Sequence, residues 1–381
     1  MTFLNVQRLL SIAALCAASV WSGSVAASSP GQHAATEGEG VAHEHGDAHE
    51  SEFKAGEFIV HHIADAHEIH FFGDVHIPLP VILHVEGRGF EVFSSDAFQG
   101  HGHGDREFVS EKTGTRYVLY SGEDGVHNPG SIGAYAVGGR ELGVLDLSIT
   151  KTVAGMWLIL IAMSVVFISV ARSYGRRKGQ APTGLANALE PLVLFIRDEV
   201  ARPSIGHHAD RFMPFLLTVF FFIFFSNLLG LVPFAGGFNI TGTIGVTVVL
   251  ATLVFLITSF SGNKHYWGHV LWMPGVPAPI KILILTPIEV IGLLLKPTVL
   301  MIRLTANITA GHIIILAFTS LIFIFGKGGE QAAAGMGIGV FSTLFMIFMY
   351  CLELLVAFLQ AYVFTLLASL YFGDATQEAH H

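Results

Sequence analysis

The sequence predicts an all-α polytopic membrane protein. It should have five transmembrane helices, two of them forming a long tilted antiparallel hairpin, with one interfacial helix and a small β-rich exported element ahead of them. Three observations predict this. The 381 residues are 52% hydrophobic and only 13% charged, with a mean hydropathy of +0.60, beyond what a soluble domain of this length shows. Apolar runs of bilayer length dominate from Val153 onward. The first 150 residues read quite differently, with thirteen of the twenty histidines before residue 130.

The chain opens "MTFLNVQRLLSIAALCAASVWSGSVAASSP". A basic Arg8, a short apolar stretch and the small residues Val25, Ala26 and Ala27 read as a signal peptide over 1–27. The alternative, a first membrane anchor, has an apolar part short for a span. Cys16 follows Leu15 rather than a small residue, which argues against a lipoprotein site, and after cleavage Cys351 is left without a disulfide partner. Residues 28–70 form a His-rich linker, "HAATEGEGVAHEHGDAHESEF". Imidazoles can hold metal, but no fixed spacing with Cys or Asp accompanies them, so a solvated, pH-responsive segment is the simpler reading and no metal site is expected. Residues 71–150 are expected to form the β-rich element, since "PVILHVEGRGFEVF" and "TRYVLYSG" read as strands bounded by Gly, Pro, Asp and Asn, as does the preceding "FIVHHIADAHEIHFF".

In 151–373 the first span, "VAGMWLILIAMSVVFISVA", ends in Arg172, Arg176, Arg177 and Lys178. Unopposed basic residues mark the cytoplasmic side, so this span runs outside to inside. "LANALEPLVLFIRDEVARPSIG" mixes apolar residues with Glu190, Arg197, Asp198, Glu199 and Arg202, which suits a helix lying on the inner face. Spans near Phe212–Val232 and Ile240–Phe260 follow. Two long runs, near Ile280–Phe325 and Gly335–Phe372, are each too long to stand upright at ~1.5 Å per residue in a ~30 Å core, so they must tilt or bend near Pro287 or Pro297. Residues 374–381 are left as a cytoplasmic tail.

Polar residues inside this hairpin follow a pattern. The first helix carries Glu289, Lys296, Arg303, Asn307 and His312, and the second Glu353 and Gln360. Arg303 to His312 is nine residues, ~13 Å, and Glu353 to Gln360 is seven, ~10 Å. In an antiparallel pair Arg303 can therefore share a level with Gln360, while His312 shares one nearer the outside with Glu353. Glu289 lies ~21 Å inward of Arg303. An outer ionisable pair, a central fixed cation and an inner carboxylate are the layout of two offset proton paths with a barrier between them. His and Glu exchange protons near reference values of about 6.5 and 4.3, whereas arginine stays charged. It can instead ionise a carboxylate on a moving partner and block direct leak. An arginine in lipid costs ~2.5 to 3.5 kcal/mol on insertion scales, which argues against an idle one. The plainer readings are an interhelical bond for His312 and Glu353, packing for Asn307 and Gln360, a snorkelling Lys296, and an interfacial Glu289.

"PIEVIGLLLKPTVLMIRLTANITAGHIIIL" resembles the signature of subunit a of F-type ATP synthases, with Lys-Pro ahead of an arginine, Asn four residues on and Ala-Gly before a polar residue nine on. "ELLVAFLQAYVFTLL" is similar to that family's last helix, and "FFSNLLGLVP" to its Asn-Leu-x-x-Leu-x-Pro segment, here with Asn227 and Pro233. The resemblance spans about residues 150 to 373. It implies that Arg303 faces the carboxylates of a rotating c-ring, that Gln360 and Asn307 assist, that His312 and Glu353 line the uptake path, and that Glu289 lines the release path. Many bacterial members carry Glu and His in the opposite order, so this chain keeps one of each type at that depth and the two are expected to work as a unit.

The implied function is that of a proton-channel stator subunit coupling proton flow to rotation and ATP synthesis. Its partners would be the c-ring, the b-subunit stalk, the F1 sector and the lipid of a bacterial inner (plasma) membrane, with the N-terminus extracytoplasmic and the C-terminus cytoplasmic. No G-x-x-x-x-G-K-[ST] loop is present, so the chain should be no enzyme on its own, with no cofactor. A net charge of -9 argues against nucleic acid. A secondary ion or metal transporter is the alternative, but convergent ligands and an internal repeat are missing.

Overall fold

The computed structural model describes residues 64–377 apart from 73–74, 99–103, 123–125, 178, 233–236, 272–279 and 327–331. The expected signal segment, the His-rich stretch up to residue 63 and the last four residues of the tail lie outside the described residues.

Among the described residues nine short strands precede the long helices. β1 (Glu68–Phe72) pairs with β2 (Val75–Pro78), and β3 (Pro80–Val85) lies between β4 (Gly89–Ser94) and β9 (Val144–Asp146). β5 (Arg106–Val109), β6 (Arg116–Leu119), β7 (Ile132–Tyr135) and β8 (Glu141–Leu142) form a third sheet in that order. All pairings are antiparallel. The period of two appears directly in β3, where Val81, Leu83 and Val85 are buried against Tyr117, Leu119, Ile132 and Ala134. The β3–β4 turn needs glycine: Gly87 and Gly89 take φ of 76° and 85°, backbone that a side chain would strain. The first described strand begins at Glu68.

The helices are α1 (Lys151–Arg176), α2 (Leu185–Phe195), α3 (Ala209–Leu231), α4 (Ile244–Ser261), α5 (Lys264–Leu271), α6 (Thr286–Gly326) and α7 (Ala332–Thr376). Thr150 caps α1 by accepting from the Val153 N–H. α2 continues through a π-turn over Ile196–Ala201 and a helical turn over Arg202–Ile205, and Gly206 at φ 73° interrupts it before α3. This polar extension satisfies its own charges, since Asp198 accepts from Arg197 at 2.9 Å and from Arg202 at 2.8 Å. α5 is a short helix between α4 and the long hairpin and carries Tyr266 and Trp267.

Among the described residues five helical stretches are long and apolar enough to cross a membrane: Lys151–Arg176, Leu185–Leu231, Ile244–Ser261, Leu283–Leu321 and Ile338–Thr376. The chain is a multi-pass membrane protein. Its centre is α3, whose Phe212, Phe215, Phe220, Phe221 and Phe222 are fully enclosed, with Phe212 stacked on Phe372 of α7. α6 has 41 residues, ~60 Å of helix, and runs unbroken through Pro297. The irregularity expected near Pro287 is a π-turn over Lys281–Leu285. Far less of α6 is buried than of α2 with α3, so α6 lies at the edge of the bundle.

Candidate proton-path site

The register of the α6–α7 hairpin decides where the polar residues meet. Toward the end where α6 leads into α7 the Phe318 and Phe345 rings lie 4.0 Å apart, and Thr319 Oγ1 donates to Met346 Sδ at 3.1 Å. About two turns farther along, a Cβ at Gly311 would stand 2.7 Å from Glu353 Oε1, so the absence of a side chain there makes room for the carboxylate. At the opposite end Lys296 Nζ lies 3.7 Å from Asp374 Oδ2 and 5.1 Å from the Tyr371 ring. Between these fixed points, eight residues of α6 and seven of α7 set Arg303 and Gln360 level.

Level and direction are separate matters. Arg303 and Asn307 are exposed on the outer face of the hairpin, while Gln360 is buried. His312 points away from α7, toward α3: a Cβ at Gly230 would lie 3.2 Å from its Nε2 and 2.8 Å from the Phe238 carbonyl. Among the described residues no hydrogen bond or ion pair joins His312 to Glu353, or Arg303 to Gln360. The expected outer pair therefore shares a depth but not a bond. Neighbouring residues on a helix differ by ~100° in direction, and it is Gly311, not His312, that faces Glu353.

A polar seam missed from the sequence fills the space between. Asn227 on α3 donates to the Ala357 carbonyl of α7 at 3.2 Å and accepts from Thr241 at 2.5 Å. Thr247 on α4 meets Thr305 on α6 at 2.7 Å, and Thr152 on α1 meets Thr243 at 3.3 Å. Among the described residues, Glu353 Oε2, Asn239 Oδ1, Thr309 Oγ1 and Ser226 Oγ are buried without a protein partner. Buried oxygens of this kind are met by water in folded proteins, so the seam is suited to a hydrated route. Only Asn227 carried a signal in the sequence, through the Asn-Leu-x-x-Leu-x-Pro segment. The threonines looked like ordinary residues of apolar helices.

Glu289 lies at the other end. Burial pushes the Tyr266 hydroxyl up from its ordinary range, and the charges of Asp374 and Glu289 add to this, so these groups form an inner cluster. Tyr266, Lys296, Pro297 and Tyr371 line a small cavity there. Among the described residues no group of three His, Cys, Asp or Glu is arranged to hold a metal ion.

Residues 153–373 match the family model described as ATP synthase A chain. Residues 58–135 match one described as a domain of unknown function (DUF8433). The chain is 43% identical over 244 residues to ATP synthase subunit a of Chloroherpeton thalassium, covering 63% of this chain and 70% of that one. It is 44% identical over 240 residues to ATP synthase subunit a of Pelodictyon phaeoclathratiforme, covering 62% and 68%. With ATP synthase subunit a of Chlorobium phaeobacteroides (strain DSM 266) the identity is 36% over 312 residues, covering 81% and 86%. An alignment of that length extends beyond 153–373 and takes in part of the strand-bearing region.

Proposed function

The chain belongs to the ATP synthase subunit a family, the proton-channel component of the Fo sector, and on that premise we propose how its own residues conduct protons. Arg303 is the barrier. Its exposure on the hairpin's outer face, level with the buried Gln360, is the observation that carries this reading. A guanidinium there, beside the exposed Ile302 and Val299, needs a partner of opposite charge, because lipid cannot solvate it. The carboxylates of a c-ring turning past this face supply one.

An uptake path reaches the ring through the seam between α3, α4, α6 and α7. His312 and Glu353 exchange protons along it, Asn307 and Gln360 line its end near the ring, and water bridges the unpaired oxygens. A release path leaves through the inner cluster around Glu289. Arg303, unable to give up its proton, draws each ring carboxylate into the ionised state as it passes and prevents protons crossing directly between the paths. One charge moved through 100 mV is worth ~2.3 kcal/mol, so several protons drive each ATP. That chemistry occurs on the F1 sector, held by the b-subunit stalk.

The strand region 71–150 is exported behind a cleaved signal over 1–27 and a linker over 28–70. The tail 374–381 is cytoplasmic, and α2 with its polar extension lies on the inner membrane face. Arg303→Ala tests the central claim. Complexes should assemble normally yet lose ATP-driven proton pumping by at least a hundredfold, measured as fluorescence quenching in inverted vesicles. Normal pumping by assembled Arg303→Ala complexes would end the reading.

A further inference from the structure

Arg303 is exposed on the outer face of α6, so it does not stand in the contact that α6 makes with α4. That contact carries polar groups at both ends. At one end Thr247 meets Thr305 at 2.7 Å, beside the seam of buried oxygens. At the other, Thr258 of α4, Tyr266 of α5 and Lys296 and Pro297 of α6 line the small cavity, and among the described residues the Tyr266 hydroxyl is buried without a protein partner. Both ends are places suited to water. Thr305 and Lys296 are nine residues apart, ~13 Å along the helix, a gap that a short file of waters would span. A proton following such a file would pass between the two paths without touching the ring.

What fills this gap is hydrocarbon. The two anchored ends set an antiparallel register: between Thr247 and Thr258 the helical period brings Leu250 and Val254 to the facing side of α4, and between Thr305 and Lys296 it brings Leu304 and Leu300 to that of α6. All four side chains are 2% exposed or less and belong to one packed core. Val254 also lines the cavity, so the apolar layer begins where the cavity ends. Leu304 follows Arg303 in sequence yet lies ~100° around the helix from it. The same turns of α6 thus present a cation to one side and leucines to the other. Close-packed hydrocarbon offers water no partner, and a narrow apolar constriction empties of it.

We propose that Leu250, Val254, Leu300 and Leu304 form a dry seal between the uptake and release paths, on the side of α6 away from Arg303. The barrier is then double. Arg303 closes the ring side, and the seal closes the interior, so that each proton must ride a ring carboxylate to cross. This rests on the reading of two offset paths joined through the ring.

The test uses vesicles carrying the whole complex and a trapped pH dye, given a potassium diffusion potential with and without dicyclohexylcarbodiimide, which blocks the ring by converting its carboxyls to acylureas. Protons that ride the ring are stopped by the reagent, whereas protons that cross the interior are not. Leu300→Asn places an amide in the layer that only water can satisfy. A threonine would serve less well, because it bonds its own helix, as Thr258 does to the Val254 carbonyl at 2.8 Å. Leu300→Asn should raise the carbodiimide-resistant proton flux by about tenfold, the factor that one gained hydrogen bond is worth, and Leu250→Asn should do the same from the facing helix. Leu300→Met keeps the volume and the apolar character, so it should stay as tight as the parent. Carbodiimide-resistant flux at the parental level in the assembled asparagine variants overturns the inference, as does an equal leak in Leu300→Met and Leu300→Asn. If Leu300→Asn does not assemble, Leu250→Asn decides. Arg303→Ala separates the two levels: normal pumping there defeats the two-path reading itself, whereas lost pumping in Arg303→Ala beside tight asparagine variants defeats only the seal.

Discussion

Asp146, at the end of β9, ties the strand region together close to the membrane. His67 Nε2 lies 3.3 Å from its Oδ2, and the Ser148 N–H donates to Oδ1 at 2.8 Å. Burial pushes the carboxyl up, but the His67 hydrogen bond and charge, with the bonds from Ser148, outweigh it and hold Asp146 below the usual carboxylate range. A depressed folded value means that the stabilisation is fully present above the unfolded value of about 3.9 and is lost as pH falls through the lower folded one. The strand region should therefore resist limited proteolysis down to about pH 4 and loosen below it. Asp146→Asn should lower its stability at neutral pH by about 1 to 3 kcal/mol and flatten the acid dependence. An unchanged acid transition in that variant would show that Asp146 is not the group responsible. Nothing in the sequence distinguished His67 from its twelve early neighbours, because only the return of β9, some eighty residues later, gives it a partner.

At the scale of elements, the close approach of α7 to the turn over Arg202–Ile205 depends on Gly373, where a Cβ would fall inside the Ser204 carbonyl. The end of α7 is also held by Asn263, which donates to the Thr376 carbonyl through its side chain at 3.1 Å and to the Ala375 carbonyl through its backbone at 3.0 Å. Gly373→Ala must push backbone against backbone, so a loss of about 1 to 3 kcal/mol is expected, read as a lowered thermal midpoint of the purified complex. Gly292→Ala meets no atom within 4 Å and should leave that midpoint nearly unchanged; equal effects would refute the close-packing account. The spans themselves were legible, since ~20 apolar residues are needed to cross a bilayer and few other structures use them. Gly206 at φ 73°, the π-turns and α5 were not. They depend on what packs beside them, and a polar helix reads the same on paper whether it lies on lipid or against protein.

For the molecule as a whole, helical rise alone set the depth of Arg303, Gln360, His312 and Glu353, because an antiparallel hairpin with a short loop leaves little freedom along its axis. Direction around that axis was illegible: a residue's azimuth depends on which ridge packs into which groove, and so His312 turned to α3 while Gly311 faced Glu353. The same azimuth leaves Val299, Ile302 and Leu294 of α6 and Leu355 and Leu359 of α7 exposed, with Arg303 among them as a cation. α1 exposes Trp157, Ile161 and Val165, and Arg172 comes only about two turns beyond them, near the end of the helix. Lipid can cover the second surface but not the first, since a guanidinium in hydrocarbon costs several kcal/mol. The two surfaces should therefore differ in what they touch. A photo-crosslinking residue placed at Ile302 should trap a ring subunit in assembled membranes, and one at Ile161 should yield no ring-subunit adduct. Ring-subunit adducts of equal yield from both positions would mean that Arg303 does not mark the face turned to the ring, and its exposure would then require another source of negative charge.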